Sequence, residues 1–376
     1  TPVFSKDLCL VGDIDQQVND LLKFIRLPPE GFKSLRKVTA DIERNLSFAG
    51  AKVMPYGSTV TGLALKTSDV DCYVDIPDDV RGEPKTLVTT ALSVLQSYPE
   101  LFGDFETLPL AQVPLLTCVY IPTRIFVDLT FSSPFNVNSS IMLSNLLHVD
   151  QRAFDLTSIV KYWGTVHDIA NGKMTLPSYA IVLMTLFYLQ QKKIVPPINA
   201  LQENVTPHEL EHWNVAFAPP EHRDENNETL YELLGGFFKY YNDFDFENTI
   251  ISTYVGYPIK REHFENLDEL KGFSNYKRNL AEGHEEPYYF GHLNVQDIFK
   301  HNQNTARPKS DRWLADRLIK HLREGARMYD VLSKEEFLSA LLVPEKRIEA
   351  GILKTFWSDG VASLEDCGYN LRRRIR

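Results

Sequence analysis

A chain of 376 residues is long for a single core, and at roughly 150 residues per domain it points to two. Lys and Arg number 40 against 50 Asp and Glu, so the formal net charge is −10, which excludes a general attraction to phosphate polymers and leaves only local basic stripes for nucleic acid. The apolar share of 43% and charged share of 24% exclude a disordered or collagen-like chain.

From Ile14 to Leu46, apolar residues recur at helical spacing on both sides of Pro28-Pro29, which predicts two helices with a break. Between Ala51 and Thr130 the pattern changes to short β-rich runs: Lys52 to Tyr56, Asp71 to Ile76, Leu115 to Ile121 and Arg124 to Phe131. Pro122-Thr123 joins the last two as an antiparallel hairpin, and Lys85 to Gln96 reads as a helix. Beyond Pro134 the periodicity is helical over Val149 to Ile169, Ser178 to Lys192, Thr229 to Tyr241, Ser310 to Val331 and Lys334 to Ala340. The apolar run Ala180 to Leu189 falls short of the ~20 residues of a membrane span and reads as a buried helix, so no membrane partner is expected. Pro196-Pro197 and the polar stretch Ala218 to Asn227 read as loops, the second a mobile one.

The expected layout is an α+β catalytic domain over 47–138 and a helical domain over 139–376, with the helices of 1–46 packed on the latter. Cys9, Cys72, Cys118 and Cys367 lack metal-type pairing, so a reducing, cytoplasmic setting is expected. The chain opens on Thr1 without a Met, as a fragment does, and the missing N-terminal region is the expected seat of protein partners.

The chemistry concentrates between Pro55 and Ile76. Gly57-Ser58 opens a turn after a strand, where the backbone can approach a phosphate closely. Strand alternation then places Asp69 and Asp71 on one face and Val70 and Cys72 on the other. Two neighbouring carboxylates repel unless a cation lies between them, and hard oxygen donors select Mg²⁺ or Mn²⁺. A solvated strand end is the plain alternative. Asp128 stands alone in the apolar strand Arg124 to Phe131, where an unpaired charge is costly, and parity puts Arg124, Phe126 and Thr130 on its face. Three carboxylates on neighbouring strands after a Gly-Ser turn suit two-metal, in-line nucleotidyl transfer.

Gly57-Ser58, Asp69-Val70-Asp71 and Asp128 resemble the signature of the polymerase-β-like nucleotidyltransferase superfamily. Ile159 to Trp163, Leu176 to Ala180, Gly235 to Tyr241 and Asp297 to Arg307 resemble the central domain of terminal uridylyltransferases and cytoplasmic poly(A) polymerases, so the likeness runs from about Phe24 to Tyr329. It implies an α+β catalytic domain with a mixed sheet beside a mainly helical domain. The implied partners are an RNA 3′ end and UTP, with ATP as the alternative donor. It implies that Asp69, Asp71 and Asp128 hold the metals, that Gly57 and Ser58 seat the triphosphate, and that Lys161 and Ser178 contact phosphate. Tyr179 would stack on the base, and Asp297 and Gln303 would face its edge.

Three positions depart from that pattern. Ser139 stands where the family has an Asn that reads the ribose, with Asn138 one residue away; Thr165 replaces a second triphosphate Lys; and Gln303 replaces a His that favours uracil. A Gln amide both donates and accepts, so it can face uracil O4 or adenine N6. For the RNA, Arg124 and Arg307 are the expected contacts, joined by the stripe Lys309, Arg312, Arg317, Lys320, Arg323 and Arg327 and by the tail Arg372 to Arg376; a solvated helix face balanced by Asp311, Asp316 and Glu324 explains the stripe equally well. The expected activity is template-independent uridylyl addition, with adenylyl addition as the enzymatic alternative. An RNA-binding pseudoenzyme is the rival from another class, and retention of all three aspartates weighs against it.

Overall fold

The proline pair sets the first boundary. Helix α1 (Ile14–Ile25) stops before it, and Pro28, held extended, leads into α2 (Pro29–Leu46) with Pro29 in the first turn, where its missing N–H costs nothing. The computed structural model describes residues 10–47, 50–66, 68–77, 82–110, 113–170, 175–222, 225–306 and 312–344. The chain divides into two compact units, residues 26–148 and residues 1–25 with 149–376.

In the first unit the elements run β1 (Lys52–Tyr56), α3 (Ser58–Thr61), β2 (Val70–Asp75), α4 (Pro84–Leu95), β3 (Phe102–Leu108), β4 (Leu115–Tyr120), β5 (Ile125–Thr130) and α5 (Phe135–His148). The strands form one mixed sheet in the order β1-β2-β5-β4-β3, with β2 and β5 parallel and the other pairs antiparallel. The hairpin over Pro122-Thr123 forms as expected. Edge strand β3 was not legible because Gly103, Asp104 and Glu106 lower its β propensity and leave few apolar residues to mark a face.

The boundaries differ from expectation at both ends. Leu35, Val38, Ile42 and Leu46 of α2 pack into the sheet's core with Val53, Val70, Cys72, Val127 and Leu129, and Asp41 accepts a hydrogen bond from the buried Tyr120 hydroxyl. So α2 belongs with the sheet and not with the helical unit. The expected boundary at Asn138 falls inside α5, which packs on α3 and β1. Periodicity reveals an apolar face without naming what covers it.

The second unit begins with α1, which packs on α6 (Gln151–Val166) and on α13 (Lys334–Leu341). Between these lie α7 (Ser178–Gln191), α8 (Ile198–Gln202), the hairpin β6 (Glu209–Leu210) and β7 (Trp213–Asn214), and α9 (Leu230–Asn242). The ribbon β8 (Thr249–Ile250) and β9 (Ile259–Lys260), then α10 (Arg261–Glu265), α11 (Ser274–Ala281) and α12 (Arg312–Val331), complete it. Helix α7 is apolar on every side and is buried from Ala180 to Gln190, as its composition predicts. No described helix is long and apolar enough to cross a membrane. The loop expected to be mobile is held at its end: Arg152 donates to Asn226 Oδ1 at 3.0 Å and to the Glu228 carbonyl at 2.8 Å, and Lys192 pairs with Glu228 at 2.9 Å.

Helices α9 and α12 touch through glycine. A Cβ on Gly325 would lie 2.4 Å from Cδ1 and 2.7 Å from Cγ of Phe238, a fully buried ring packed edge-on to Trp163. Gly325→Ala is therefore expected to destabilise the fold by about 2 kcal/mol, since the overpacking outweighs the gain in helix propensity. Urea unfolding of the variant beside the wild type checks this, and equal midpoints would contradict it.

Candidate active site

Strand register places the central carboxylates. Asp71 on β2 is the direct partner of Asp128 on the parallel neighbour β5, while Tyr56 on β1 lies opposite Asp71 and Thr117 on β4 lies opposite Asp128. Both aspartates are half-buried, whereas Val70, Cys72, Val127 and Leu129 between them are fully buried in the core, so the carboxylates face away from it. Asp69 stands half-buried just ahead of β2, on the residue before the buried Val70.

Gly57 closes the site from β1. It takes φ 65 and ψ −141 at the start of α3, and a Cβ there would lie 2.8 Å from Asp71 Oδ2. Only glycine brings backbone this near the carboxylate. Its N–H donates to Ser140 Oγ at 2.7 Å, and that hydroxyl donates to the Asn136 carbonyl at 2.6 Å. Ser140 closes the run Val137-Asn138-Ser139-Ser140, where the sequence assigns a role to its neighbours and none to Ser140; both serines are buried, and Asn138 beside them spends its amide on the Pro134 carbonyl at 3.2 Å. Ser58 follows as the first residue of α3 and is half-buried.

The surroundings are electrostatically negative. Burial first, and then the charge of Asp71, push the Tyr56 hydroxyl above its ordinary range. The free thiols Cys72 and Cys118 are pushed up to about 12 by burial, with Asp128 adding to the effect on Cys118, so both stay protonated and inert. Among the described residues, no group of three or more His, Cys, Asp or Glu side chains is gathered closely enough to hold a metal ion. Two register-paired carboxylates under a Cβ-free backbone do fit Mg²⁺ or Mn²⁺, which take one or two protein carboxylates and fill the rest of the shell with water and phosphate oxygens.

The helical unit gathers a second set. Tyr179, next to Ser178 at the start of α7, donates its hydroxyl to Asp297 Oδ2 at 3.0 Å. Asp297 Oδ1 accepts from the backbone N–H groups of Phe299 and Lys300, both at 2.9 Å, while the Asp297 N–H donates to the Gln303 carbonyl at 2.9 Å. Enclosure raises the Asp297 carboxyl above its ordinary value despite these donors. Residues 297–303 thus form a tight loop with Tyr179 against one end, and the Gln303 side chain is exposed. Lys161 lies buried within α6, with the Thr165 hydroxyl donating to its carbonyl at 3.1 Å.

The same loop holds an unforeseen histidine. His301 is buried against Tyr254, Phe273 and Trp213, with ring centroids 4.0, 5.2 and 5.3 Å away, and burial pushes it down to about 3 from its ordinary 6.5. The unfolded chain takes up a proton below pH 6.5 that the folded chain refuses until about 3, so stability is whole above 6.5 and is lost as pH falls through that window. The expected loss at pH 5 is about 2 kcal/mol relative to pH 7. Urea unfolding of wild type and His301→Phe at both pH values checks this: the variant should lose less on acidification, and parallel losses would refute it.

Two RNA expectations fare differently. Strand parity does not extend to Arg124, because β5 starts at Ile125 and Arg124 lies in the preceding turn at φ 59, exposed and 3.8 Å from Asp104. Arg307, Lys309 and the Arg372 to Arg376 tail lie outside the described residues. Within the α12 stripe, Arg327 pairs with Glu324 and Arg317 donates to the His167 carbonyl at 2.7 Å, so those two cations are engaged internally.

Residues 14–147 match the family described as poly(A) RNA polymerase, mitochondrial-like, central palm domain. The chain is 32% identical over 234 residues to the poly(A) RNA polymerase gld-2 homolog B of Drosophila melanogaster, covering 56% of this chain and 17% of that protein. It is 25% identical over 312 residues to the mitochondrial poly(A) RNA polymerase of the same organism, covering 72% and 51%. The chain spans about half or less of the curated relatives it matches. Among solved structures it is similar to apo mtPAP, with TM-score 0.74, 19% identity and coverage of 90% of this chain and 75% of that one. It is also similar to the Cid1 poly(U) polymerase, with TM-score 0.71, 22% identity and coverage of 87% and 98%. The fold is that of a polymerase-β-like nucleotidyltransferase, α+β as expected.

Proposed function

We propose that this chain, related to the poly(A)/poly(U) polymerase nucleotidyltransferases, extends RNA 3′ ends without a template and prefers UTP as donor. The observation that carries the chemistry is the register pairing of Asp71 with Asp128 beneath Gly57. In this reading the RNA 3′-hydroxyl attacks the α-phosphate and pyrophosphate leaves. Asp69, Asp71 and Asp128 would hold Mg²⁺ or Mn²⁺, which would supply a lowered hydroxyl pKa and a neutralised leaving group. Gly57 and Ser58 receive the triphosphate at a backbone turn, and Lys161 and Ser178 add a cation and a hydroxyl donor. Ser139 takes the ribose-reading position.

Base choice rests on the loop of 297–303. Uracil offers N3–H as a donor, and a carboxylate whose Oδ1 is committed to two backbone N–H groups and whose Oδ2 is oriented by the Tyr179 hydroxyl keeps a remaining lone pair of Oδ2 as a fixed acceptor, directly or through water. Adenine offers N1 as an acceptor at the matching place and gains nothing from Asp297. A second reading, adenylyl transfer, is favoured by Gln303, which lacks a fixed polarity and repels neither base. The narrower likeness to the insect terminal uridylyltransferase Tailor belongs to this proposal and rests on the same segments. The test is extension of a short labelled RNA with each triphosphate separately. Wild type is expected to use UTP fastest and ATP measurably, and Gln303→His to sharpen rejection of ATP about tenfold, within the reach of one polar contact to a base. Faster incorporation from ATP than from UTP at equal concentration would replace the reading with adenylyl transfer.

A further inference from the structure

We propose that the hairpin of β6 and β7, with Glu285, is a positioning element that sets nucleotide selectivity by holding residues 297–303 in place. The inference rests on the reading of that loop as one wall of the base pocket.

The hairpin tip is backbone-strained. Glu211 and His212 both take positive φ, 44 and 68, without glycine at either position, and such residues persist only where their surroundings enforce them. Two donors from α11 supply that enforcement: Arg278 and Asn279 both bond the His212 carbonyl, at 3.2 and 3.1 Å. The fixed tip then reaches the loop at separate points. Glu211 accepts from Lys300 Nζ at 3.0 Å, and the Lys300 backbone N–H is one of the two that orient Asp297. Trp213, wholly buried, packs edge-on to His301 and donates its indole N–H to Glu285 at 2.9 Å. The other oxygen of Glu285 accepts from Asn302 at 2.8 Å, so one carboxylate joins the hairpin to the residue before Gln303.

None of these groups needs to touch the nucleotide. They engage Lys300, His301 and Asn302, the three residues that lead into Gln303 in the loop that starts at the base-facing Asp297, and so decide where those two side chains point. A loop tied at three consecutive residues to a rigid hairpin loses the freedom to re-form around a different base, and such freedom erodes discrimination. Glu211, Trp213 and Glu285 are positioning residues in this account.

The experiment compares wild type with Glu285→Ala, Glu211→Lys and the swap Glu211→Lys with Lys300→Glu, measuring kcat and KM for UTP and for ATP and amide exchange across 297–303. For Glu285→Ala the UTP-to-ATP ratio of kcat/KM should fall about fivefold towards unity, carried by KM, with kcat at saturating UTP within about twofold of wild type. Exchange in 297–303 should quicken while α7 stays protected. Glu211→Lys should behave likewise, and the swap should recover at least half of the lost ratio, which a general loss of folding would not permit. An active wild type whose variants keep the ratio, or lose rate equally on both triphosphates, sinks this inference alone. A wild type inert with every triphosphate sinks the proposed function and this inference with it.

Discussion

Asp128→Ala is expected to lower nucleotidyl transfer about a thousandfold or more while leaving the unfolding midpoint equal to or above that of wild type. The catalytic loss follows from removing one of two register-paired oxygen donors, since metal-assisted charge stabilisation supplies several kcal/mol of the barrier reduction. The stability expectation follows from the same pairing. Asp71 and Asp128 are like charges side by side on a half-buried face, and deleting one relieves their repulsion. Single-turnover extension of labelled RNA with saturating Mg²⁺, together with urea unfolding, tests both halves. Robust extension by the variant would remove Asp128 from the active site, and a large fall in midpoint would make it a structural residue instead.

Gly57→Ala should be the most damaging single methyl in the sheet unit. Its backbone lies at φ 65 and ψ −141, a region that side chains other than glycine's avoid at a cost of about 1–3 kcal/mol. The added Cβ would meet Asp71 Oδ2 at 2.8 Å, and either the carboxylate turns or β1 moves away from β2. Activity is expected to fall about a hundredfold, with a stability loss of about 2 kcal/mol. Ser140→Ala offers a milder comparison, because it removes the acceptor of the Gly57 N–H and leaves the turn's conformation free of added strain. It should cost about 1–2 kcal/mol of stability with a smaller loss of activity. Equal activity of Gly57→Ala and wild type would mean that the close approach of turn and carboxylate is incidental.

Much of this protein is legible in its sequence. Local chemistry is written in local order, so Gly57-Ser58, the spacing of Asp69 and Asp71, the isolated Asp128, the hairpin over Pro122-Thr123 and the largely apolar α7 are all readable from composition and period. Strand alternation also separates Asp71 from Val70 and Cys72, and the structure puts the latter two in the core.

Register, docking and enclosure were not readable, because each depends on residues distant in sequence. That Asp71 stands opposite Asp128 is a property of a parallel pairing across 57 positions, and the same residues paired two places later would separate the carboxylates. Alternation predicted Arg124 beside Asp128, yet it fails there because the pleat ends at Ile125 and a positive φ turns the side chain out of register. The amphipathic pattern of α2 specifies a buried face, but that the sheet buries it is seen only in the packing of Leu35, Val38, Ile42 and Leu46 into the sheet's core and in the Asp41–Tyr120 bond. No sequence signal assigns a role to Ser140, Glu285 or His301, although Ser140 and His301 lie within recognisable segments. Their roles come from the partners that tertiary structure brings to them: a glycine N–H for the serine, two donors for the carboxylate, and three aromatic rings that exclude water from the imidazole.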